Sequence, residues 1–328
     1  MTVTVAGAAS RIEGQFASGV ERPIRDVVRE ALADAGISLS DVDYVVTVAS
    51  DALDGMMVPV RAELAGALGK SYLNVPSSAG HALAAAATVI EAGDAETVLV
   101  VGWGAASKLA GDDGRSNQFD PFYMRPAGAT PETLAAVQRQ VLVAAGLLSV
   151  SEVEAHAARM AAASWPGGAG ASHAFCDGAV AIVLTGSKPP ARGLSIVDHA
   201  TASRSHAPLD ATFDPAVWTS EALGSFVRGG ASSQDGFVEV SGTTPCAELR
   251  AISAVLGSES VVGAGDSNRT GGGAAAWFGP ATGLRAFAEL FRMHSATDRG
   301  EAHGVFVDLA GPLGQLVTAL RIEKRSAA

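Results

Sequence analysis

Residues 71–104 read SYLNVPSSAGHALAAAATVIEAGDAETVLVVGWG and contain one complete strand–helix–strand unit. The composition of 71–75 (SYLNV) favours a strand, and 97–101 (TVLVV) is an apolar run of the length of a buried strand. The Ala-rich stretch 81–92 between them favours a helix, because alanine has the highest helix propensity. A Gly-Trp-Gly turn at 102–104 closes the unit.

The same order of elements recurs along the chain. In the second half, 236–240 (GFVEV) corresponds to the strand-like 43–49 (DYVVTVA), and 304–309 (GVFVDL) is a later apolar strand that is again followed by glycine. Strands that alternate with helices predict a mostly parallel sheet with helices on both faces. The repeat predicts a duplicated unit, with an N-terminal half at 1–190 and a C-terminal half at 191–328.

Residues 108–170 interrupt this rhythm and predict an inserted lobe. Two helices are predicted in it, at 131–145 and 151–163, from their apolar periodicity. A Ser followed three residues later by Glu is a capping-box pattern, and it occurs at both 149–152 and 151–154. Either of the two pairs could cap the start of the second helix.

Composition excludes several classes of protein. The 328 residues carry 23 Lys+Arg against 34 Asp+Glu, a formal net charge of −11, which argues against nucleic acid or an anionic membrane as the main partner. Hydrophobic residues make up 48% and charged residues 17%, so the chain is expected to bury a sizeable core rather than remain disordered.

The compartment follows from cysteine usage and the first residues. Only Cys176 and Cys246 are present, too few for a disulfide framework or a zinc-finger array. The N-terminus lacks the basic and apolar regions of a signal peptide, and no apolar run reaches the ~20 residues of a membrane span. These features predict a cytoplasmic protein.

The segment 75–81 (VPSSAGH) carries the sharpest chemical signal. A strand enters it and an Ala-rich helix leaves it, so the serines lie at a helix N-terminus, where N–H groups stabilise an anion or an oxyanion. One interpretation makes Ser77 a nucleophile assisted by His81, four residues later. The other makes the serine pair an ordinary helix cap and the histidine a packed side chain.

The same turn loosely resembles the nucleophile elbow of the α/β-hydrolases, with Pro76 in place of the first glycine. Asp266 or Asp308 with His294 or His303 would then complete a triad. The Gly-rich stretch 263–273 matches neither the Walker nor the dinucleotide-binding pattern, and the seven histidines show no metal-ligand spacing. We therefore expect no phosphate cradle there and no metal.

Several segments together resemble the thiolase superfamily, and most of all its sterol-carrier-protein-type thiolases. Residues 75–82 occupy the place of that family's Cys-Ala-Ser-Gly-Ser type motif, with Gly80 setting the register. The resemblance covers nearly the whole chain and implies an α/β fold, a thiolase-like duplicated α/β/α layered core with an inserted helical loop lobe. The other matching segments are 91–102 (EAGDAETVLVVG), 119–130 (FDPFYMRPAGAT), 176–181 (CDGAVA) and 268–283 (NRTGGGAAAWFGPATG).

The resemblance fails where the family's chemistry lies. The nucleophilic Cys of the family falls on Ser77, and its two histidines fall near Ser241 and Phe278. The final Cys-x-Gly-like loop begins here at Asp308. A Claisen condensation needs a thiolate to carry the acyl group and a base to form the carbanion, and serine is the far weaker nucleophile. Simple thiolysis is therefore rejected.

The residue types and the resemblance together define candidate site residues. The catalytic candidates are Ser77, His81, Ser241 and Asp308. The substrate-binding candidates are Ser78, Tyr123, Asn268, Gly271, Phe278 and Gly311.

Three functional hypotheses remain. The first is an auxiliary or atypical thiolase-like subunit that keeps the fold and an acyl-thioester pocket but works within an acyltransferase or C–C bond-forming or -cleaving complex. The second is a stand-alone acyltransferase with Ser77 as nucleophile, helped by His81, Tyr123, His206 or Asp308. The third is a serine hydrolase at the Ser77/Ser78 turn.

Ligand and partners are expectations from the resemblance. It implies CoA or an acyl-carrier thioester as ligand, no permanently bound cofactor, and a homo- or hetero-oligomer with a thiolase or OB-fold partner. Four cations are close in sequence around the lobe: Lys108, Arg115, Arg125 and Arg139. They would either contact the phosphates of CoA or form a solvated surface.

Overall fold

A computed structural model describes the positions of most of the chain. The described residues are 2–54, 57–109, 122, 124–164, 174–186, 193–203, 213–224, 236–257, 267–273, 276–296, 302–311 and 313–325. The strands are β1 Val3–Glu13, β2 Tyr44–Val48, β3 Ser71–Asn74, β4 Thr97–Ala105, β5 Ala174–Phe175, β6 Asp177–Thr185, β7 Gly193–Ser203, β8 Phe237–Ser241, β9 Ala276–Trp277, β10 Ala302–Ala310 and β11 Leu316–Arg325. The helices are α1 Glu21–Ala35, α2 Asp51–Asp54, α3 Val58–Ala62, α4 Ala79–Glu91, α5 Pro131–Ala144, α6 Val150–Ser164, α7 Pro215–Leu223, α8 Pro245–Leu256 and α9 Thr282–Ser295.

Nine of the strands form one sheet in the order β3-β2-β4-β6-β1-β7-β11-β10-β8. Pairing is parallel for β2 with β3, β2 with β4, and β8 with β10. The central pairings, β4–β6, β6–β1, β1–β7, β7–β11 and β11–β10, are antiparallel. The prediction of a mostly parallel sheet is therefore wrong. One reason is that residues 311–315 between β10 and β11 are too few for a crossover, which leaves only a hairpin.

Side-chain alternation divides the core into two faces. In β4, Val98 and Val100 join the large cluster around α4 and α9, whereas Leu99 and Val101 pack in the cluster that contains α1. Strands that are buried on both faces read as continuous apolar runs, which explains why TVLVV carries no polar residue inside it.

The helices cover both faces of the sheet. Helices α4 and α9 pack on one face, in a core cluster that includes strand residues from both ends of the sheet. On the other face, α1 covers the strands near β4, and α7 and α8 cover the strands near β10. The predicted layered α/β class is confirmed. Strand β1 pairs with β7 in the middle of the sheet, with Thr4 opposite Ser195.

The inserted lobe contains the two predicted helices, now α5 and α6. The capping box at the start of α6 is the first alternative, because Ser149 N–H donates to Glu152 at 2.7 Å and Glu152 N–H donates to Ser149 Oγ at 3.2 Å. Gln138 of α5 donates to the carbonyl of Leu313 at 3.1 Å and accepts from Thr244 Oγ1 at 2.9 Å. The buried amide thereby fastens the lobe to the C-terminal half.

No helix in the described ranges is long and apolar enough to span a membrane.

Candidate functional site

A cavity of about 330 Å³ opens where strand ends and helix starts of both halves converge. Strands β8 and β10 are parallel and end there at Ser241 and Ala310, while α4 begins beside it at Ala79 and α9 at Thr282. Carboxyl ends of parallel strands and helix N-termini meet at one edge of a sheet, which is the usual place for a ligand in α/β folds. The lining residues are Ser50, Leu53, Pro76, Ser77, Pro131, Phe175, Ser241, Gly242, Thr243, Thr244, Trp277, Gly279, Pro280, Thr282, Gly283, Asp308, Leu309, Ala310, Gly311 and Leu316.

The walls are apolar with a scatter of hydroxyl groups. Phe175 and Trp277, from the two-stranded β5–β9 sheet, stack edge to face with their ring centroids 5.3 Å apart. Among the described lining residues, Asp308 alone is ionisable. These walls therefore suit a neutral, largely apolar group.

The start of α4 is closed by the carboxylate of Asp308. Ser78 caps the helix by accepting from His81 N–H at 3.2 Å, and its hydroxyl donates to Asp308 Oδ2 at 2.6 Å. Gly80 N–H donates to the same oxygen at 2.7 Å, and the N–H of Ala79 and the hydroxyl of Ser241 donate to this carboxyl group as well. Burial raises the pKa of Asp308, and the four donors oppose that rise.

This arrangement changes what the helix N-terminus can do. The positive end of the α4 dipole, expected to stabilise a substrate oxyanion, faces a carboxylate of the chain itself. Two glycines make the close approach possible. A Cβ on Gly80 would lie 2.7 Å from the Cβ atoms of Asp308 and Thr318, and one on Gly283 would lie 2.9 Å from Ala79 Cβ.

Ser77 and His81 do not form the predicted pair. Ser77 is exposed on the cavity wall, whereas His81 does not line the cavity and its Nδ1 lies 2.6 Å from Thr318 Oγ1. No hydrogen bond joins the two residues in the described part of the chain. Burial lowers the pKa of His81, which favours its neutral form. The packed-histidine interpretation fits this geometry.

The hydrolase triad is not assembled either. His294 packs against the Phe237 ring at 4.5 Å, and burial lowers its pKa to about 4. His303 is exposed on β10, and neither histidine lines the cavity. Asp266 lies outside the described residues.

Two of the predicted substrate-binding residues serve the core instead. Asn268, at φ 51°, accepts from Val240 N–H at 2.6 Å and donates to Val240 O at 2.9 Å, so its amide completes the edge of β8. Phe278 is fully buried, and its ring occupies the space that a side chain at Gly178 would need.

The remaining predicted residues divide in the same way. Ser241 and Gly311 line the cavity, whereas Gly271 is buried in the turn outside it. Tyr123 and His206 lie outside the described residues.

Neither cysteine is placed to act as a nucleophile in the cavity. Burial raises the pKa of Cys176 to about 12 and that of Cys246 to about 11. Both thiols are buried, and neither lines the cavity. They therefore remain protonated at neutral pH.

Sequence reasoning missed a buried polar cluster behind the cavity wall. The carboxylate of Glu248 accepts from the N–H groups of Gly242 at 3.1 Å and Gly273 at 2.7 Å, and its Oε2 lies 2.9 Å from His156 Nε2. Glu248 thereby holds the 242–244 wall and ties α6 to α8. The signal in the sequence is a glutamate, Glu248, within the otherwise largely apolar segment 245–256.

No group of side chains that could hold a metal ion occurs among the described residues.

One nine-stranded sheet, with α4 and α9 on one face and α1, α7 and α8 on the other, is the arrangement that comparison with solved structures identifies as a thiolase-like fold. No protein-family profile matches the chain, and no curated protein sequence matches it. Solved structures do. An acetyl-CoA acetyltransferase from Syntrophomonas wolfei shares 14% identity over 98% of each chain, with a TM-score of 0.73.

Two further structures agree. An Ltp2-ChsH2(DUF35) aldolase shares 17% identity over 98% of this chain and 97% of that one, with a TM-score of 0.72. The Acat5 thiolase from Ascaris suum, in complex with coenzyme A, shares 14% identity over 99% of this chain and 100% of that one, with a TM-score of 0.71. Identities this low establish the common fold and leave the chemistry to be argued from the site.

Proposed function

We propose that the protein binds an acyl thioester of CoA or of a carrier protein in this cavity, as an auxiliary or atypical subunit of an acyltransferase or C–C bond-forming or -cleaving complex. The observation that carries the proposal is the start of α4. Its anion-stabilising N–H groups are engaged by Asp308, and the described walls hold neither a thiolate nor a free base. The cavity can hold an acyl chain, and none of its described lining residues is a cysteine, a histidine or a lysine that would serve to transfer it.

The apolar walls and the known structures support the ligand class. Phe175 and Trp277 offer an aromatic surface to an acyl chain, and one structure of the same fold contains coenzyme A. Another structure of this fold is an aldolase composed of two named components.

The edge of the sheet supports an oligomer. Strand β3 is a terminal strand of the nine, and one of its edges pairs with no other strand in the part of the chain that the structure describes. Large apolar side chains are exposed on β3 and just before it. Leu68 is 74% exposed, Tyr72 38% and Leu73 37%. An open strand edge with apolar neighbours is typical of a surface that pairs with another subunit.

The proposal is tested with acetyl-CoA by calorimetry and intact-mass measurement. We expect binding without a covalent acyl adduct. Ser77→Ala should bind like the wild type, whereas Ser77→Trp should abolish binding because the indole fills the cavity mouth. We also expect the protein to co-purify with a thiolase-like or OB-fold partner and to show activity only when that partner is present.

The same experiment decides between the alternatives. An acyl adduct on the wild type that disappears in Ser77→Ala would establish a stand-alone acyltransferase and overturn the auxiliary role. Labelling of Ser77 by a fluorophosphonate would support a serine hydrolase. Equal binding by Ser77→Trp and the wild type would show that the thioester binds elsewhere.

A further inference from the structure

A second cavity, of about 380 Å³, lies along α9 from Arg285 to Met293. It shares no lining residue with the first cavity. Gly283 borders the first cavity and Arg285 the second, two residues apart on the same helix, so the two cavities are near each other but have separate walls. The lining residues are Ser10, Ile12, Ala163, Arg269, Thr270, Arg285, Glu289, Arg292 and Met293.

The wall of this second cavity is rich in positive charge. Arg269, Arg285 and Arg292 contribute three guanidinium groups, and Glu289 is the single carboxylate among the described lining residues. The whole chain carries a net charge of −11, so three cations in one wall are not what its composition favours.

Arg285 is the buried member of this wall. It is 3% exposed and donates to the backbone carbonyls of Thr270, at 2.9 Å, and of Gly272. Its Nε has no hydrogen-bond partner in the described structure. Burial lowers the pKa of Arg285, and the nearby carboxyl groups of Glu239, Glu289 and Glu248 oppose that shift. Burial raises the pKa of Glu239 to about 7, so this neighbour is only partly ionised at neutral pH. Among the described contacts, the Nε–H of Arg285 is the donor left for a ligand.

Arg292 supplies the outer guanidinium. Its Nη1 donates to Glu289 Oε1 at 2.6 Å and to Ser10 Oγ at 3.1 Å, and Ser10 in turn donates to Glu289 at 2.9 Å. The side chain of Arg292 is 41% exposed, so it can turn towards a ligand without leaving a buried charge behind.

We propose that this cavity binds a phosphate group, either free or as the monoester of a small metabolite, between Arg285 and Arg292. Guanidinium groups match phosphate oxygens in geometry and charge, and such charge-assisted hydrogen bonds are the strong ones. The volume of about 380 Å³ exceeds that of one phosphate ion and leaves room for an organic substituent. This site is independent of the acyl-thioester proposal, since it uses other residues.

Calorimetry with inorganic phosphate and with glycerol 3-phosphate, at matched ionic strength in sodium chloride, tests the site. We expect saturable binding that weakens about tenfold in Arg292→Gln, because one charge-assisted bond is lost. Glu289→Gln should tighten binding several-fold by removing the competing carboxylate. Arg22→Gln is the matched control, because Arg22 is 82% exposed on α1 and does not line the cavity.

The two ligands distinguish the sources of the phosphate. Tighter binding of the ester assigns the site to an organic phosphate, and equal or tighter binding of the inorganic ion assigns it to free phosphate. Absence of saturable binding by both ligands would overturn the proposal. So would equal affinities of Arg292→Gln and Arg22→Gln, with circular dichroism confirming that both variants are folded.

Discussion

Two regions of the molecule contain a buried carboxyl group, and they differ in the hydrogen-bond donors and charges that surround it. At the start of α4, Asp308 receives only neutral donors, from hydroxyl and backbone N–H groups. Beside the turn 267–273, Glu239 of β8 accepts a hydrogen bond from Thr270 of the turn and lies in the field of the buried Arg285. The first region faces a cavity that suits an apolar ligand, whereas the second adjoins a cavity with a cationic wall.

The difference shows how one fold holds sites of opposite character. The donors at the start of α4 are taken up by Asp308, so they are not offered to a ligand in the first cavity. Beside the turn, burial raises the pKa of Glu239 to about 7, so this carboxyl is partly uncharged at neutral pH and offsets the charge of Arg285 only in part. Three substitutions test this contrast.

The largest effect is expected for Asp308→Ala. Loss of the carboxylate leaves four buried donors without their acceptor, which should lower the free energy of unfolding by about 3–5 kcal/mol. Urea denaturation measures it. Asp94→Ala, at an exposed position, should stay within about 0.5 kcal/mol of the wild type. If the two variants are equally stable, Asp308 does not hold the start of α4.

Glu239 should give the stability a pH dependence. Its pKa is about 7 in the folded protein against an ordinary 4.5, so the folded state holds the proton more tightly than the unfolded state. The contribution of protonated Glu239 to the stability of the fold is therefore fully present below about pH 4.5 and is lost as the pH rises through about 7. Between pH 5 and 8 the free energy of unfolding of the wild type should fall by on the order of 3 kcal/mol more than that of Glu239→Gln. Parallel pH profiles for the two proteins would contradict the raised pKa.

The smallest effect is expected for Gly80→Ala. The added methyl group would meet the Cβ atoms of Asp308 and Thr318 at 2.7 Å, and overpacking of this kind costs about 1–3 kcal/mol. Gly14→Ala is the matched control, because nothing lies within 4 Å of its Cβ position. Equal stability of the two variants in urea would show that α4 can move away from β10 at little cost.

The local elements were largely predictable. The helix predicted at 131–145 is observed at Pro131–Ala144, and the strand predicted at 43–49 is observed at Tyr44–Val48. Strand β11, Leu316–Arg325, was not predicted, although its apolar residues alternate in part. The division into halves at 190/191 stays a prediction.

The site was less predictable, because a shift of two residues decides its geometry. The pairing of Ser77 with His81 assumed that both lie on one face of a helix. Helix α4 begins only at Ala79, after its cap Ser78, so Ser77 precedes the helix and turns to the cavity while His81 contacts β11. Capping was the alternative interpretation of the serine pair, and Ser78 fulfils it.

By itself, the sequence determined which segments form strands and helices, because apolar period and small-residue content act over a few neighbouring residues. Through the resemblance it also predicted that the cysteine of a thiolase falls on Ser77 and its two histidines near Ser241 and Phe278. Only the tertiary structure decided that Ser78 meets Asp308, 230 residues away, and that Arg285 and Arg292 line one cavity. The physical reason is that the partner of a buried polar group is set by how sheets and helices pack, which no local pattern encodes.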